Sequence, residues 1–583
     1  MRSPLIVALV LLSAALVAQG QTAVSPAQRT ASPVQAATLP RVAQDGAVKH
    51  MFVDGKPFLM LAGELHNSSA SSVEYMKPIW DKLAAMNLNT VIGTVSWELV
   101  EPEEGKFDFS LVDAQIAAAR KHNLRLALIW FATWKNANAD YAPLWVKKNP
   151  KRFPVAQTRP SAGGTAPAGA GAAAIDRYNA SLSPLGEETM SADARAYRAL
   201  MRHIRQADPQ HTVILMQVEN EPGLLGDSRD RSPLAETAWA KPVPADLMDY
   251  LVKNREKLLP ETQKIWARNG YKGSGTWAQV FGEDQWADEV FMAYYVGRYI
   301  DKVTQEGKAE LNIPMYVNAW QDAEPGVTSP GVYPSGGPVA RMIDVYHAVG
   351  PALDFISPDI YSQDFRARCA SYARAGNPLF FPESRAAAAN YLYALGAQAA
   401  MGVSPFAVED VAVDSQFAQL YKMLAGVIPQ LAGWQAAGKV AGALVEGYQP
   451  ETVSLGGYRI TIGRSPAGRG RGAAAPPAVA GTATAGQAAA AGGRGTPAPD
   501  TRPFALIANV APDEFLFIGS NFTPRFEAET GGGRALIASK DEGRYENGKW
   551  IAGRRLNGDE AGRGLPGNGA LGMMRIKLFR LAN

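Results

Sequence analysis

From Met51 onward, short continuous apolar runs alternate with stretches whose apolar residues recur every three or four positions. The first kind reads as buried parallel strand, the second as amphipathic helix. Phe58 to His66 opens the series as a strand, and Tyr75 to Met86 follows as a helix. Further strands are predicted at Asn89 to Pro102, Leu124 to Trp134, from Val213, Ile313 to Trp320, Leu353 to Tyr361, Leu379 to Glu383 and Val403 to Asp410. Helices are predicted at Leu111 to Lys121, Ala192 to Gln206, Asp288 to Glu306, Val339 to Val349, Tyr391 to Met401 and Phe417 to Gln435.

Eight strands alternating with helices over roughly 380 residues predict an α/β fold, a (β/α)8 TIM barrel. A doubly wound open sheet is the alternative, but no glycine-rich phosphate loop follows the first strand. The usual barrel needs about 250 residues, so long loops must be present. Two stand out: Thr158 to Ala174, rich in Gly, Ala and Pro, and Leu224 to Gln285, whose Trp277 and Phe281 are available to wall a pocket. After Gly438 the pattern becomes that of short antiparallel strands: Gly457 to Gly463, Pro503 to Val510, Glu514 to Phe522, Ala535 to Gly553 and Met573 to Leu581. Asn547-Gly548 is a hairpin signal between Tyr545 and Trp550. A small antiparallel β-sandwich-like domain is therefore expected over 438–583, interrupted at about 464–502 by an Ala/Gly/Pro insert expected to be disordered and removable.

The 583 residues exceed one core, which agrees with a barrel over 46–437 plus a second domain. A net charge of +3 gives no pointer to nucleic acid or an anionic membrane. Cys369 is the only cysteine, which excludes an intramolecular disulfide and any multi-cysteine metal site; it is expected to be inert. Residues 1–20 read as a secretory signal: Arg2, an apolar run from Leu5 to Val17, then Ala18-Gln19-Gly20. The apolar run is short for a membrane span, which needs roughly 20 residues. Residues 21–45 are expected to form a flexible leader, and the protein is expected to be exported, to a periplasm or the medium, with no membrane attachment after cleavage.

Two carboxylates stand at the ends of buried strands. Val213 to Met216 runs into Gln-Val-Glu-Asn-Glu and stops at Pro222-Gly223; Leu379-Phe380-Phe381 runs into Pro382-Glu383. A charge there is costly unless it has a task, and the carboxyl ends of barrel strands are where chemistry is done. Two carboxyls flanking a glycosidic bond can supply an acid and a nucleophile, with retention of configuration when they are about 5–5.5 Å apart. Strands four and seven lie three places apart round an eight-membered ring and can face each other across its mouth.

Val218-Glu219-Asn220-Glu221 with Pro222-Gly223 resembles the V-E-N-E-x-G motif of glycoside hydrolase family 35, a β-galactosidase family of the clan with catalytic glutamates on strands four and seven. Gly63-Glu64-Leu65-His66 is similar to its G-E-x-H, and Trp97 to Pro102 with Glu104 to Phe109 to its W-x-x-x-E-P-x-x-G-x-F-D-F. The resemblance covers about Val48 to Gln435 and is closest to a bacterial subgroup with a small C-terminal β domain. It implies Glu221 as acid/base, Glu383 as nucleophile, Asn220 on the sugar 2-hydroxyl and Tyr361 orienting Glu383. Glu64, His66 and Glu98 would bind hydroxyls, and Trp97, Trp130, Trp134 or Trp320 would offer a stacking face. No metal or cofactor is implied. The chain departs from the family at Glu98, where Asn is usual, at Val100, where His is usual, and at Asn67, where an aromatic is usual. These changes lie near the pocket that reads the sugar and leave the reaction type alone.

Other roles compete for several of these residues. Glu219 points away from Asn220 and reads as a buried ion-pair member, Asp359 as a structural strand-end carboxylate, and Trp130 and Trp134 as core or platform in equal measure. Asp227 to Arg231 reads as a plain charged turn. The expectation is a retaining exo-β-glycosidase, a β-galactosidase, with a carbohydrate as its partner. The alternatives are a same-clan hydrolase of another sugar choice, such as an α-L-arabinopyranosidase, a β-glucosidase or an endo-enzyme, or a catalytically inactive sugar-binding barrel.

Overall fold

The computed structural model describes residues 38–159, 178, 180–322, 328–362, 364–464, 498–529, 532–562, 564–565 and 569–582. The expected secretory signal, the 158–174 loop beyond Arg159 and residues 465–497 of the insert lie outside the described residues.

One seven-stranded parallel sheet runs in the order Gly402–Val403, Met60–Glu64, Thr90–Ser96, Arg125–Lys135, Val213–Asn220, Met315–Trp320, Phe355–Asp359. The segment from Leu379 to Ser384 closes the ring. It bridges Ile360 through Ser384 and Val403 through Phe381, and the Ile360 N–H donates to the Glu383 carbonyl at 3.0 Å. The eight-place barrel expected from the sequence is present, with two corrections. The seventh place holds two isolated bridges rather than a regular strand, because Pro382 has no N–H to give a ladder. The eighth strand is Gly402–Val403 alone, and the chain beyond it turns through Ala407 (φ 56°) into a 3-10 turn at Val408–Asp410.

Residues two apart on a strand share a face. Met60, Ala62, Ile92, Ala127, Ile129, Phe131, Ile214, Tyr316, Phe355 and Phe380 form one buried cluster, the barrel interior, with Met51 and Val53 beneath it. Met51 and Val53 belong to a three-stranded antiparallel sheet, Arg41–Asp45, Val48–Val53 and Lys56–Pro57. Arg41–Asp45 is thus a strand within the stretch expected to be leader; Gly46 at φ 57° makes the tight turn that pairs so short a segment with its neighbour.

The predicted helices appear as Val73–Ala85, Ser110–Lys121, Glu187–Ala207, Gln285–Glu310, Ile343–Val349, Ala388–Ala397 and Gln416–Ala436. An additional helix, Phe365–Tyr372, follows the sixth strand. The long loop after the fourth strand carries four short helices, Pro233–Trp239, Ala245–Asn254, Pro260–Ala267 and Trp277–Phe281. Trp277 and Phe281, expected to wall a pocket, sit in the interior. Both are buried, and Trp277 packs edge-on against Phe291 at 5.1 Å, so they anchor this excursion to helix Gln285–Glu310. The turn Asp227 to Arg231 is likewise interior. Arg231 bonds Asp288 at 2.6 Å and Arg229 bonds Asp288 at 2.9 Å. Burial opposes the charge of Asp227, but the Arg159 and Arg231 donors prevail and hold its carboxyl well below the usual range.

The C-terminal region consists of a six-stranded antiparallel sheet, in the order Val440–Leu444, Phe504–Ala511, Glu514–Ser520, Gly572–Leu581, Arg534–Glu546, Lys549–Arg555, and a three-stranded sheet of Glu451–Leu455, Tyr458–Arg464 and Phe522–Ala528. Tyr458, Ile460, Phe515 and Phe517 share the core between them. The larger sheet also packs on the barrel, because Phe504, Leu506 and Leu516 belong to the same apolar cluster as Leu392, Leu420 and Leu424. Gly426 permits the approach, since a Cβ there would meet the Tyr545 carbonyl oxygen at 2.2 Å.

Candidate active site

The strand alternation that fills the barrel interior carries polar side chains at its carboxyl end. Glu64 continues the row of Met60 and Ala62, Asn318 and Trp320 that of Tyr316, and Asp359 that of Phe355. Glu221 arrives from the fourth strand and Glu383 from the irregular seventh place. Carboxylate oxygens of Glu221, Asp359 and Glu383 all lie within 4.8 Å of one another, so the two glutamates expected to face each other do. The Tyr361 hydroxyl donates to Glu383 Oε1 at 2.5 Å, while Oε2 has no partner among the described residues. Asn136 Nδ2 donates to Glu221 Oε2, and the Glu221 N–H donates to Asn318 Oδ1 at 2.9 Å. Asn318 Nδ2 in turn donates to Asp359 Oδ2 at 2.6 Å.

The backbone round the acid is strained. Asn136 (φ 51°), Ala137 (62°), Glu219 (65°) and Glu221 (45°) all occupy the left-handed region, at a cost of about 1–3 kcal/mol each. The Asn136 and Ala137 N–H groups donate to the carbonyls of Asn220 and Glu221 at 3.2 and 3.1 Å, so the loop after the third strand clamps the end of the fourth.

Burial, then the charge of Glu383, pushes the Glu64 carboxyl well above its ordinary range. The same two causes, in the same order, raise Asp359. Lys135, the last residue of the third strand, sits among these groups. Burial acts against its charge, but Glu383, Glu221, Glu64 and Asp359 together raise its pKa, so its ammonium is the cation of the cluster. The three oxygens have the spacing a metal ion would require, and Lys135 already brings positive charge beside them. A carboxylate with one open oxygen facing a second, hydrogen-bonded carboxyl at this separation can attack an electrophilic carbon while its partner gives and takes a proton.

The remaining sequence expectations divide. Asn220 is buried at the site with both amide atoms unpartnered among the described residues, as are both oxygens of Glu64. Trp320 is partly exposed at the end of the fifth strand, where a ring can stack on it. His66 stands at the rim, paired with Asp410 at 2.8 Å. Glu98, Asn67 and Val100, the three departures from the family 35 pattern, line one cavity of about 330 Å³ with Ser68 and Tyr141, and Glu98 lies 3.6 Å from Lys147. Three tryptophans are not platforms. Trp97 is fully buried, donating to Glu101 Oε2 at 2.8 Å and packing edge-on against Trp145. Trp134 is fully buried against Tyr299 at 4.8 Å, and Trp130 donates to Asp193 at 2.8 Å. Trp97 and Trp130 have the indole N–H satisfied inside the strand–helix layer; that of Trp134 has no partner among the described residues, and its ring is excluded by burial alone.

Glu219 points into that same layer, as expected, but its partner is an acid. Its Oε2 accepts the backbone N–H of Trp134 at 2.7 Å and it abuts Asp193; burial first, then Asp193, raises its carboxyl well above the ordinary range. Lys135, Asn136 and Asn318 were not singled out by sequence reasoning, and Asp359 was read as structural. The available signal was a polar residue at the carboxyl end of an apolar strand, in Trp134-Lys135-Asn136 and Val317-Asn318.

A parallel barrel with paired carboxyls at its carboxyl-end mouth has the architecture of a glycoside hydrolase. Residues 71–292 match the family described as Beta-galactosidase, glycoside hydrolase family 42, and residues 417–566 match one described as a domain of unknown function, DUF5597. A stretch of 57 residues is 46% identical to a β-galactosidase of Xanthomonas manihotis, covering 10% of this chain and 9% of that protein. Over 61 residues the chain is 43% identical to the human β-galactosidase-1-like protein 3, again 10% of this chain and 9% of that one. Among solved structures, a β-galactosidase from Rahnella sp. R3 is similar at a TM-score of 0.41 and 18% identity, over 65% of this chain and 57% of that one. Gan42B, a GH42 β-galactosidase from G. stearothermophilus, is similar at a TM-score of 0.40 and 15% identity, over 64% and 57%. The chain thus spans about a tenth of the length of these curated relatives and a little over half that of the solved chains. Part of the barrel, residues 71–292, is thus similar to a β-galactosidase family. The match is to family 42, where the sequence motifs resemble family 35.

Proposed function

We propose that the chain is a retaining exo-β-glycosidase that hydrolyses terminal β-galactosides. The observation that carries this reading is that one carboxylate oxygen of Glu221 and one of Glu383 lie within 4.8 Å of each other, close enough to flank a single anomeric carbon, as the short separation of retaining enzymes requires. Glu383 Oε2 attacks that carbon while Glu221 protonates the leaving oxygen, giving a β-galactoside-derived glycosyl ester. Glu221 then takes a proton from water, which attacks the same carbon and releases Glu383. Asn220 binds the 2-hydroxyl, Glu64 accepts from a hydroxyl deeper in the barrel, and Trp320 stacks on the ring.

The motifs Gly63 to His66 and Val218 to Glu221 favour family 35 as the finer placement, and residues 1–20 favour export to a periplasm or the medium. The departures at Asn67, Glu98 and Val100 favour a second reading, a same-clan enzyme of other sugar choice such as an α-L-arabinopyranosidase. A panel of nitrophenyl glycosides decides between them. Cleavage of the β-galactoside that is lost in Glu383→Gln is expected. Preference for another glycoside selects the second reading, and sugar binding without cleavage of any substrate refutes both.

A further inference from the structure

The third and fourth strands pair as far as Trp130 opposite Val218, and next at Lys135 opposite Asn220. Between these points four residues, Phe131 to Trp134, stand opposite one, Glu219. In unbroken register Ala132 would face Asn220; the bulge puts Lys135 there instead, and Asn136 within reach of Glu221 Oε2. A bulge leaves its extra N–H groups without a ladder partner. The Glu219 side chain supplies one. Its Oε1 accepts the Thr133 N–H at 3.3 Å and its Oε2 the Trp134 N–H at 2.7 Å. We propose that Glu219 and Asp193 are positioning residues for the proton transfer: their bonded carboxyls clasp the bulge of the third strand, and the clasped bulge aims Asn136 at Glu221. The proposal rests on the glycosidase reading above and adds the pair that sets its acid in place.

Asp193 reaches the bulge from helix Glu187–Ala207. It accepts from Trp130 Nε1 at 2.8 Å, from Thr133 Oγ1 at 2.8 Å and from the Tyr299 hydroxyl at 3.0 Å. Trp130 is the last paired residue before the bulge and Thr133 lies within it, so one carboxylate ties both to the helix layer. Asp193 and Glu219 are hydrogen-bonded to each other, and no lysine or arginine bonds either among the described residues. Two carboxyls buried together without a cation do not both ionise. Burial raises both; the bond from Glu219 then lowers Asp193, and the charge of Asp193 raises Glu219 further, so Glu219 keeps the proton. A neutral carboxylic acid accepts the two N–H groups and donates to Asp193 at once. Both side chains are fully buried in the strand–helix layer, so neither touches substrate. Their effect passes through the chain: Glu219 precedes Asn220 and Glu221, and the Asn136 and Ala137 N–H groups that follow the bulge donate to the carbonyls of those two residues.

The test uses the full-length protein and two glycosides of its preferred sugar. The dinitrophenyl glycoside has a leaving group that needs no proton; the phenyl glycoside has one that does. kcat/KM reports the first bond cleavage, in which Glu221 gives its proton. Glu219→Ala opens the clasp, and thermal melting establishes that the variant is folded. Its kcat/KM for the phenyl glycoside is expected to fall about tenfold further than that for the dinitrophenyl glycoside, the worth of one hydrogen bond to a charged group. Glu219→Gln, whose amide accepts an N–H and donates to Asp193, is expected to restore the ratio. A ratio unchanged in Glu219→Ala overturns the inference, because a loosened fold or a lost sugar contact makes no distinction by leaving group. A Glu219→Gln variant as impaired as Glu219→Ala overturns it too. If Glu219→Ala does not fold, Asp193→Asn, which turns one acceptor of the pair into a donor, carries the same expectation. Loss of folding in both makes the pair a determinant of the fold alone and overturns the positioning role. A wild type that cleaves neither glycoside refutes the glycosidase reading itself, a separate result.

Discussion

Glu289 lies on helix Gln285–Glu310, one residue after the Asp288 that anchors the Asp227–Arg231 turn, and it is fully buried. The Tyr333 hydroxyl donates to its Oε1 at 2.7 Å, and Oε2 has no partner among the described residues. Burial is the main cause that pushes its pKa from 4.5 up to about 7; Arg341 and the Tyr333 donor act in the opposite direction without prevailing. Because the folded pKa is the higher one, the native state holds this proton more tightly than the unfolded chain does. The stability from this group is therefore complete below pH 4.5 and is lost as pH rises through about 7. At about 1.36 kcal/mol per pKa unit, the ionised carboxylate forfeits about 3 kcal/mol of folding free energy at pH 8. Glu289→Gln keeps an acceptor for Tyr333 and removes the charge. Urea unfolding of both proteins at pH 5 and pH 8 is the assay. The variant is expected to be close to the wild type at pH 5 and more stable by about 3 kcal/mol at pH 8. A difference between the two proteins that does not change with pH refutes the reasoning.

Three further substitutions test the site. Asn136→Ala removes the donor to Glu221 and is expected to lower kcat by about 10–100-fold in steady-state assays, the worth of one hydrogen bond to a charged group. Lys135→Met leaves Glu64, Glu221, Asp359 and Glu383 without their cation and is expected to cut kcat/KM at least tenfold; an unchanged value contradicts the charge balance described. Trp97→Phe breaks the bond to the buried Glu101 and is expected to cost about 1–3 kcal/mol in chemical denaturation, with KM unchanged. A KM that rises several-fold in that variant restores Trp97 to the sugar site.

The barrel was legible because parallel strands buried on both faces must be apolar along their length, and runs such as Leu126 to Phe131 leave little choice. What escaped was set by single residues. Pro382 denies the seventh place a regular ladder, and Gly46 turns five residues of apparent leader into a strand. Glu221 and Glu383 stood out because each puts a charge at the end of an apolar run. Lys135 and Asn136 were hidden, since their relation to Glu221 arises from a loop that doubles back through two left-handed residues, a turn that no local pattern announces. Trp97 misled for the reverse reason: it lies within a motif that resembles a sugar-binding segment, but its indole N–H is committed to Glu101 in the interior. The fate of a tryptophan depends on where its one donor finds an acceptor, which sequence spacing does not specify.

The central claim is that Glu383 forms a covalent bond to the substrate while Glu221 handles the proton. A 2-deoxy-2-fluoro-β-galactosyl fluoride keeps a good leaving group but destabilises the oxocarbenium-like transition states, so the glycosyl-enzyme accumulates. Peptide mass mapping after incubation is expected to find a fluorogalactosyl ester on Glu383. An active enzyme with no adduct, or one esterified at Glu64, Asp359 or Glu221 instead, would contradict the account.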